Sequence, residues 1–293
     1  MALKILAILI GMGVSCTVLA QRAPADNRFW AYHDRELAKF GQLTFNVGIK
    51  ELGLFSTPSN QLLRPSGSQP FPTVVLVPTC GGMKPSTRTR MKEFIEAGYA
   101  VLAVDSYTSR GEESCRKDVI RPPLVMRDTF DALKHLQQFP EIDKQRIFVV
   151  GYSMGGFAAA WVASPHNAKE SGSELRFAAS VGHYGTCSHR PGPLVFNLPF
   201  LRPDIDRPVL LLMGEADAET PMGSCFPLVE EMKTDGKPVE WHTYKDVTHA
   251  WDQPESSGYS FTNQFGKVVT YTYSRETTID ATRRTLEFLG RFK

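Results

Sequence analysis

The residues with the clearest capacity for chemistry are Gly151-Tyr152-Ser153-Met154-Gly155, with Gly156 directly after them. A G-x-S-x-G run holds a hydroxyl in a sharp turn between a strand and a helix, where only small neighbours let the backbone fold back on itself. Such a hydroxyl becomes a nucleophile when a base takes its proton, and the base needs an acid to hold its tautomer. Five of the seven histidines, His166, His183, His189, His242 and His249, follow the serine. His242 falls within an alternating stretch, as a surface or packing residue would. His183 follows a strand end and is a rival, but it precedes the candidate acid. His249, in Lys245-Asp246-Val247-Thr248-His249-Ala250-Trp251, stands just past the last expected strand and is the expected base.

Residues 182–190 contain no Asp or Glu, so the acid is expected one strand later. There Gly214-Glu215-Ala216-Asp217-Ala218-Glu219-Thr220-Pro221 offers Asp217, a short carboxylate that turn geometry can fix, with Glu215 and Glu219 as neighbours. Ser153, Asp217 and His249 would perform acyl transfer through a covalent serine intermediate, with no metal or organic cofactor. An oxyanion hole is expected from the N–H of Met154 and one N–H of the turn Pro78-Thr79-Cys80-Gly81-Gly82. Pro78 has none to give, which leaves Cys80 or Gly81 ahead of Thr79. Arg110, in a loop at another strand end, is a candidate partner for a substrate carboxylate, and Tyr152 is the second candidate substrate contact.

These residues need a scaffold that brings separate loops together. Continuous apolar runs at 73–77, 99–104, 146–150, 177–181 and 209–213 read as buried strands, and 239–244 as one more. Helical spacing over 86–97, 122–139, 157–163 and 277–292 alternates with them. An antiparallel edge strand is expected over 43–49, and 56–70, rich in Pro, Ser and Asn, reads as loop. Buried strands alternating with helices imply an α/β fold: a mostly parallel central sheet with helices on both faces and ligands beyond the strands' carboxyl ends. The apolar residues of 191–208, Leu194, Val195, Phe196, Leu198, Phe200 and Leu201, would either roof an acyl pocket or pack a long connection.

The chain has 293 residues, 42% of them hydrophobic, enough for a substantial core. Lys4, an apolar run and Val18-Leu19-Ala20 read as a signal peptide over 1–20, cleaved after Ala20, leaving one domain over 21–293. The uncharged run falls short of the roughly 20 residues of a spanning helix, so no stable membrane association is expected after cleavage. Loss of Lys4 takes the formal net charge from +2 to +1 (2 − 1). No basic patch argues for nucleic acid. Cys80, Cys115, Cys187 and Cys225 remain, an even set for an oxidising, secreted or periplasmic location, and spacing does not choose among their three pairings.

In their joint order and spacing, the oxyanion turn, residues 105–111 with Cys115, the Ser153 elbow, the Asp217 loop and His249-Ala250-Trp251-Asp252 resemble the dienelactone hydrolase family over about residues 72–292. The resemblance implies an α/β-hydrolase fold without a large cap domain, and a triad of Ser153, Asp217 and His249. Its secreted members imply the pairs Cys80–Cys115 and Cys187–Cys225. The family's namesakes use a cysteine nucleophile, whereas position 153 is serine. The expectation is therefore a secreted serine hydrolase of carboxylic esters or lactones of small to medium size. Alternatives are a peptidase or polyester depolymerase on the same triad, or a non-catalytic binding module.

Overall fold

The computed structural model describes residues 49–51, 60–115, 122–189, 198–263 and 265–293. They all belong to one compact unit. The expected signal peptide, Ala20 included, lies outside the described residues. Among those described, no helix is long and apolar enough to cross a membrane.

The apolar runs form the centre of the sheet. β1 is Ile49–Glu51, β2 Leu62–Arg64, β3 Phe71–Val77, β4 Ala100–Ala103 and β5 Ile142–Tyr152. β6 is Ser180–His183, β7 Ser188–His189, β8 Leu198–Pro199, β9 Val209–Gly214 and β10 Val239–Tyr244. β3, β4, β6 and β9 are buried throughout, and β5 is buried from Ile147 onward. Among the described residues, eight strands pair in the order β1-β2-β4-β3-β5-β6-β9-β10, and within that sheet only the β2–β4 pair is antiparallel. Burial on both faces requires helices on both, and the chain supplies them: α1 (Pro85–Glu96), α2 (Pro122–Leu136), α3 (Met154–Trp161), α4 (Pro165–Glu170), α5 (Leu228–Thr234) and α6 (Arg275–Gly290). A hairpin of β11 (Ser260–Thr262) and β12 (Val268–Thr270) lies between β10 and α6. The fold is α/β, and the described residues form no large cap.

Two edge expectations change. Residues 43–48 lie outside the described residues, and Ile49 opens β1, which pairs parallel with β2 rather than antiparallel. The stretch read as loop contains β2, in which Leu62 and Leu63 pair with β4 and all three residues pair with β1, pairings that no local pattern signals. The strand expected over 177–181 begins at Ser180. Of the apolar connection 191–208, residues 191–197 lie outside the described residues. Phe200 and Leu201 are buried, and Phe200 stacks on Phe157 of α3 at 4.7 Å, so this part packs the body of the protein. Each such burial stabilises the fold by roughly 1.5–3 kcal/mol.

The winding sets the position of the site. From β3 the chain crosses to β4 on one side, and from β5 it proceeds to β6 on the other, so the direction reverses between the neighbours β3 and β5. Loops leaving the carboxyl ends of these two strands diverge and leave a crevice. The turn at 78–82 and Ser153 are the loops in question.

Candidate active site

Ser153 sits between the end of β5 and the start of α3 with φ 52° and ψ −109°, a conformation that costs a non-glycine residue about 1–3 kcal/mol. Neighbouring structure enforces it. Ser153 N–H donates to His183 O at 3.0 Å, and Phe157 N–H to Ser153 O at 3.1 Å. A Cβ at Gly151 would collide with the Gly155 carbonyl, and one at Gly155 with the Val77 carbonyl at the end of β3. The two glycines thus let α3 lie against both strands, which is the steric reason for their spacing around the serine.

His249, at the end of the loop that follows β10, reaches the same point. Its Nε2 is 2.9 Å from Ser153 Oγ, and its Nδ1 is 2.7 Å from Asp217 Oδ2. All three residues are buried. The Asp217 carboxylate is fixed by its own turn, because its Oδ1 accepts the N–H groups of Glu219 and Thr220 at 2.9 and 2.8 Å. Burial pushes this carboxyl up, but the His249 ring and the Thr220 hydrogen bonds outweigh it and hold its pKa below the ordinary value. Burial likewise pulls His249 down, and the carboxylates of Asp217 and Glu219 reverse this, leaving it above an ordinary imidazole. An Nδ1–H donated to Asp217 leaves Nε2 free to accept the serine proton.

Sequence reasoning missed the residues that support this chain. Thr220 Oγ1 lies 2.7 Å from Asp217 Oδ2, 3.0 Å from Tyr184 O and 3.1 Å from His249 Nδ1. The Tyr184 ring meets His249 edge-on at 4.8 Å, and its hydroxyl donates to Asp252 Oδ1 at 2.5 Å. Glu219 Oε2 is 3.7 Å from His249 Nε2. The turn sequence after Asp217 was a signal for Thr220. Nothing local pointed to Tyr184.

The turn after β3 lies beside the elbow. Gly81 N–H donates to Thr79 Oγ1 at 3.2 Å, so it is directed within its own turn. Met154 N–H opens α3, where helical geometry supplies no acceptor, and among the described residues neither it nor Cys80 N–H meets a protein acceptor. Cys80 is joined to Cys115, with Cα atoms 5.0 Å apart, and Cys115 N–H donates to Cys80 O at 3.0 Å. Cys187 is joined to Cys225, with Cα atoms 4.8 Å apart, linking the loop after β6 to the turn that leads into α5. Among the described residues, no group of three or more His, Cys, Asp or Glu side chains is placed to hold a metal ion.

The two candidate substrate contacts point elsewhere. Arg110 gives Nη1 and Nη2 to Asp128 at 2.7 and 2.8 Å, in a pair whose side chains are 4% and 1% exposed. Asp128 of α2 therefore takes the fork expected to meet a substrate. Tyr152 is buried beneath the elbow, stacked on His183 at 4.4 Å. His183, the rival base, bonds Thr285 Oγ1 of α6 through Nε2 at 3.0 Å, and burial drives its pKa down to about 3, with Arg90 adding to the fall.

The pattern of the dienelactone hydrolase family matches residues 60–293. The chain belongs to that family. Among its relatives is a candidate carboxymethylenebutenolidase of Methylorubrum extorquens, 24% identical over 64% of this chain and 65% of its own length, just under two thirds. A Bacillus subtilis protein described as an uncharacterized peptidase, YtmA, is 29% identical over 57% of this chain and 71% of its own. In three dimensions this family member is similar to a candidate dienelactone hydrolase from Klebsiella pneumoniae, with a TM-score of 0.60 and 19% identity over 78% of this chain and 90% of that one. At that identity the likeness establishes the α/β-hydrolase fold. The family is one of hydrolytic enzymes.

Proposed function

We propose that this member of the family is a serine hydrolase that cleaves carboxylic esters or lactones through an acyl-enzyme. The supporting observation is the continuous contact from Ser153 Oγ through His249 to Asp217, at 2.9 and 2.7 Å, on a strained and buried elbow. Ser153 Oγ attacks the acyl carbon as its proton passes to His249 Nε2, and Asp217 stabilises the imidazolium. The tetrahedral oxyanion receives the N–H groups of Met154 and Cys80. His249 then protonates the leaving oxygen, the acyl group stays on Ser153, and a water activated by the same ring releases the acid. Two disulfides fit an oxidising compartment, and we place the protein outside the cytoplasm on that ground.

A second reading, peptide cleavage by the same residues, is favoured by the Bacillus subtilis relative's description. A fluorophosphonate probe tests the serine directly. Peptide mapping should place the label on Ser153, and Ser153→Ala should abolish it. Failure to label under conditions that label a known serine hydrolase excludes the mechanism. Comparing short acyl esters with peptides then separates the two readings.

A further inference from the structure

Glu219 stands on the reactive side of His249. Its Oε2 is 3.7 Å from His249 Nε2, the nitrogen that faces Ser153 Oγ, and its side chain is 30% exposed against 2% for the histidine. At that separation the carboxylate accepts no hydrogen bond from the ring. It is held in place from two other directions: its N–H donates to Asp217 Oδ1 at 2.9 Å, and Tyr271 Oη donates to its Oε2 at 2.5 Å. Tyr271 follows β12, and Asn263 of the same hairpin ties it down by donating to Ala218 O at 3.1 Å. Among the described residues, no lysine or arginine pairs with Glu219. Arg110, the cation read from the sequence as a carboxylate partner, is bound by Asp128.

Aromatic rings accompany this charge. Tyr271 lies 5.4 Å from the His249 ring, 5.6 Å from Tyr259 and 6.2 Å from Phe261, and Tyr259 is 39% exposed. A fixed carboxylate beside aromatic rings attracts an organic cation, through Coulombic attraction and through the ring quadrupoles. The same carboxylate repels an anion.

This rests on the serine hydrolase reading above, in which His249 Nε2 passes its proton to the leaving oxygen, so that the alcohol departs past Glu219. We propose that Glu219, held by Tyr271, determines specificity on the leaving-group side, favouring esters of alcohols that carry an ammonium group and rejecting those whose alcohol carries a carboxylate near the ester oxygen.

The test compares kcat/KM of the full-length protein for three acetate esters of similar size: that of choline, that of its uncharged isostere 3,3-dimethylbutanol, and that of 3-hydroxypropanoate. At low salt the choline ester should exceed the isostere by about tenfold, the order expected of opposite charges several Å apart at a partly open site. The carboxylate ester should fall below both, and salt should compress the differences. In Glu219→Gln the choline preference should collapse towards unity and the carboxylate ester should gain. Tyr271→Phe should weaken the preference in part. The wild-type ratios and their salt dependence decide the matter even if a variant misfolds. A Ser153 that labels with fluorophosphonate while the esters turn over equally, or not at all, overturns the Glu219 assignment alone. A Ser153 that neither labels nor is needed for turnover overturns the underlying reading.

Discussion

Arg110 and Asp128 form a bidentate pair at 2.7 and 2.8 Å with almost no solvent contact, joining the short helical turn after β4 to α2. Arg110 Nη1 also donates to Ser106 O at 2.8 Å, so the pair braces the loop that carries Cys115 towards Cys80. Asp128→Ala leaves a buried guanidinium without its carboxylate, and breaking a buried pair this way costs about 3–5 kcal/mol. A corresponding fall in the urea midpoint at constant m-value is the expected result. An unchanged midpoint would show the pair to be incidental.

Thr220 offers a finer probe of the acid's placement. Thr220→Val keeps the shape and the backbone donor to Asp217 but removes the hydroxyl 2.7 Å from Oδ2. A hydrogen bond to a charged group contributes roughly 1.5–3 kcal/mol, so kcat should fall at least about tenfold with little change in KM. An equal loss in KM alone would place Thr220 in substrate binding instead.

The pH profile follows from His249. In the proposed mechanism its neutral form is the base, and its pKa is raised, so kcat/KM should fall as pH drops through a value above that of an ordinary imidazole. Burial alone would lower that pKa, and the carboxylates of Asp217 and Glu219 reverse it. Asp217→Asn should therefore move the acidic limb to lower pH while reducing kcat by about 10⁴. Glu219→Gln should move it in the same direction by less. A limb that shifts upward in either variant contradicts the assigned electrostatics.

The bond between Cys187 and Cys225 closes a separation of 38 residues, for which unfolded-chain entropy contributes about 4 kcal/mol. The double variant Cys187→Ser with Cys225→Ser should lose most of that stability in equilibrium denaturation. It should also lose turnover, because Thr186 and Ser224, which meet beside this bond, adjoin the loop bearing Thr220. Thiol titration of the denatured wild type without reductant should find neither cysteine free.

The sequence by itself determined the layers of this fold and the loops in which chemistry was to be sought. β3, β4 and β9 were legible because strands buried on both faces must be apolar without interruption. The elbow was legible because the turn leaves no room for a Cβ at positions 151 and 155. Such signals are local, arising from a residue and its immediate neighbours. β2 was not legible because so short a run becomes a strand only when β1 and β4 pair with it. Tertiary structure alone decided which side chains meet: that Arg110 turns to Asp128 on α2, that Tyr152 packs beneath Ser153, and that Tyr271 crosses from a distant hairpin to hold Glu219 beside His249. An arginine fork or a carboxylate binds whichever partner the completed packing brings within about 3 Å, and no spacing along the chain encodes that distance.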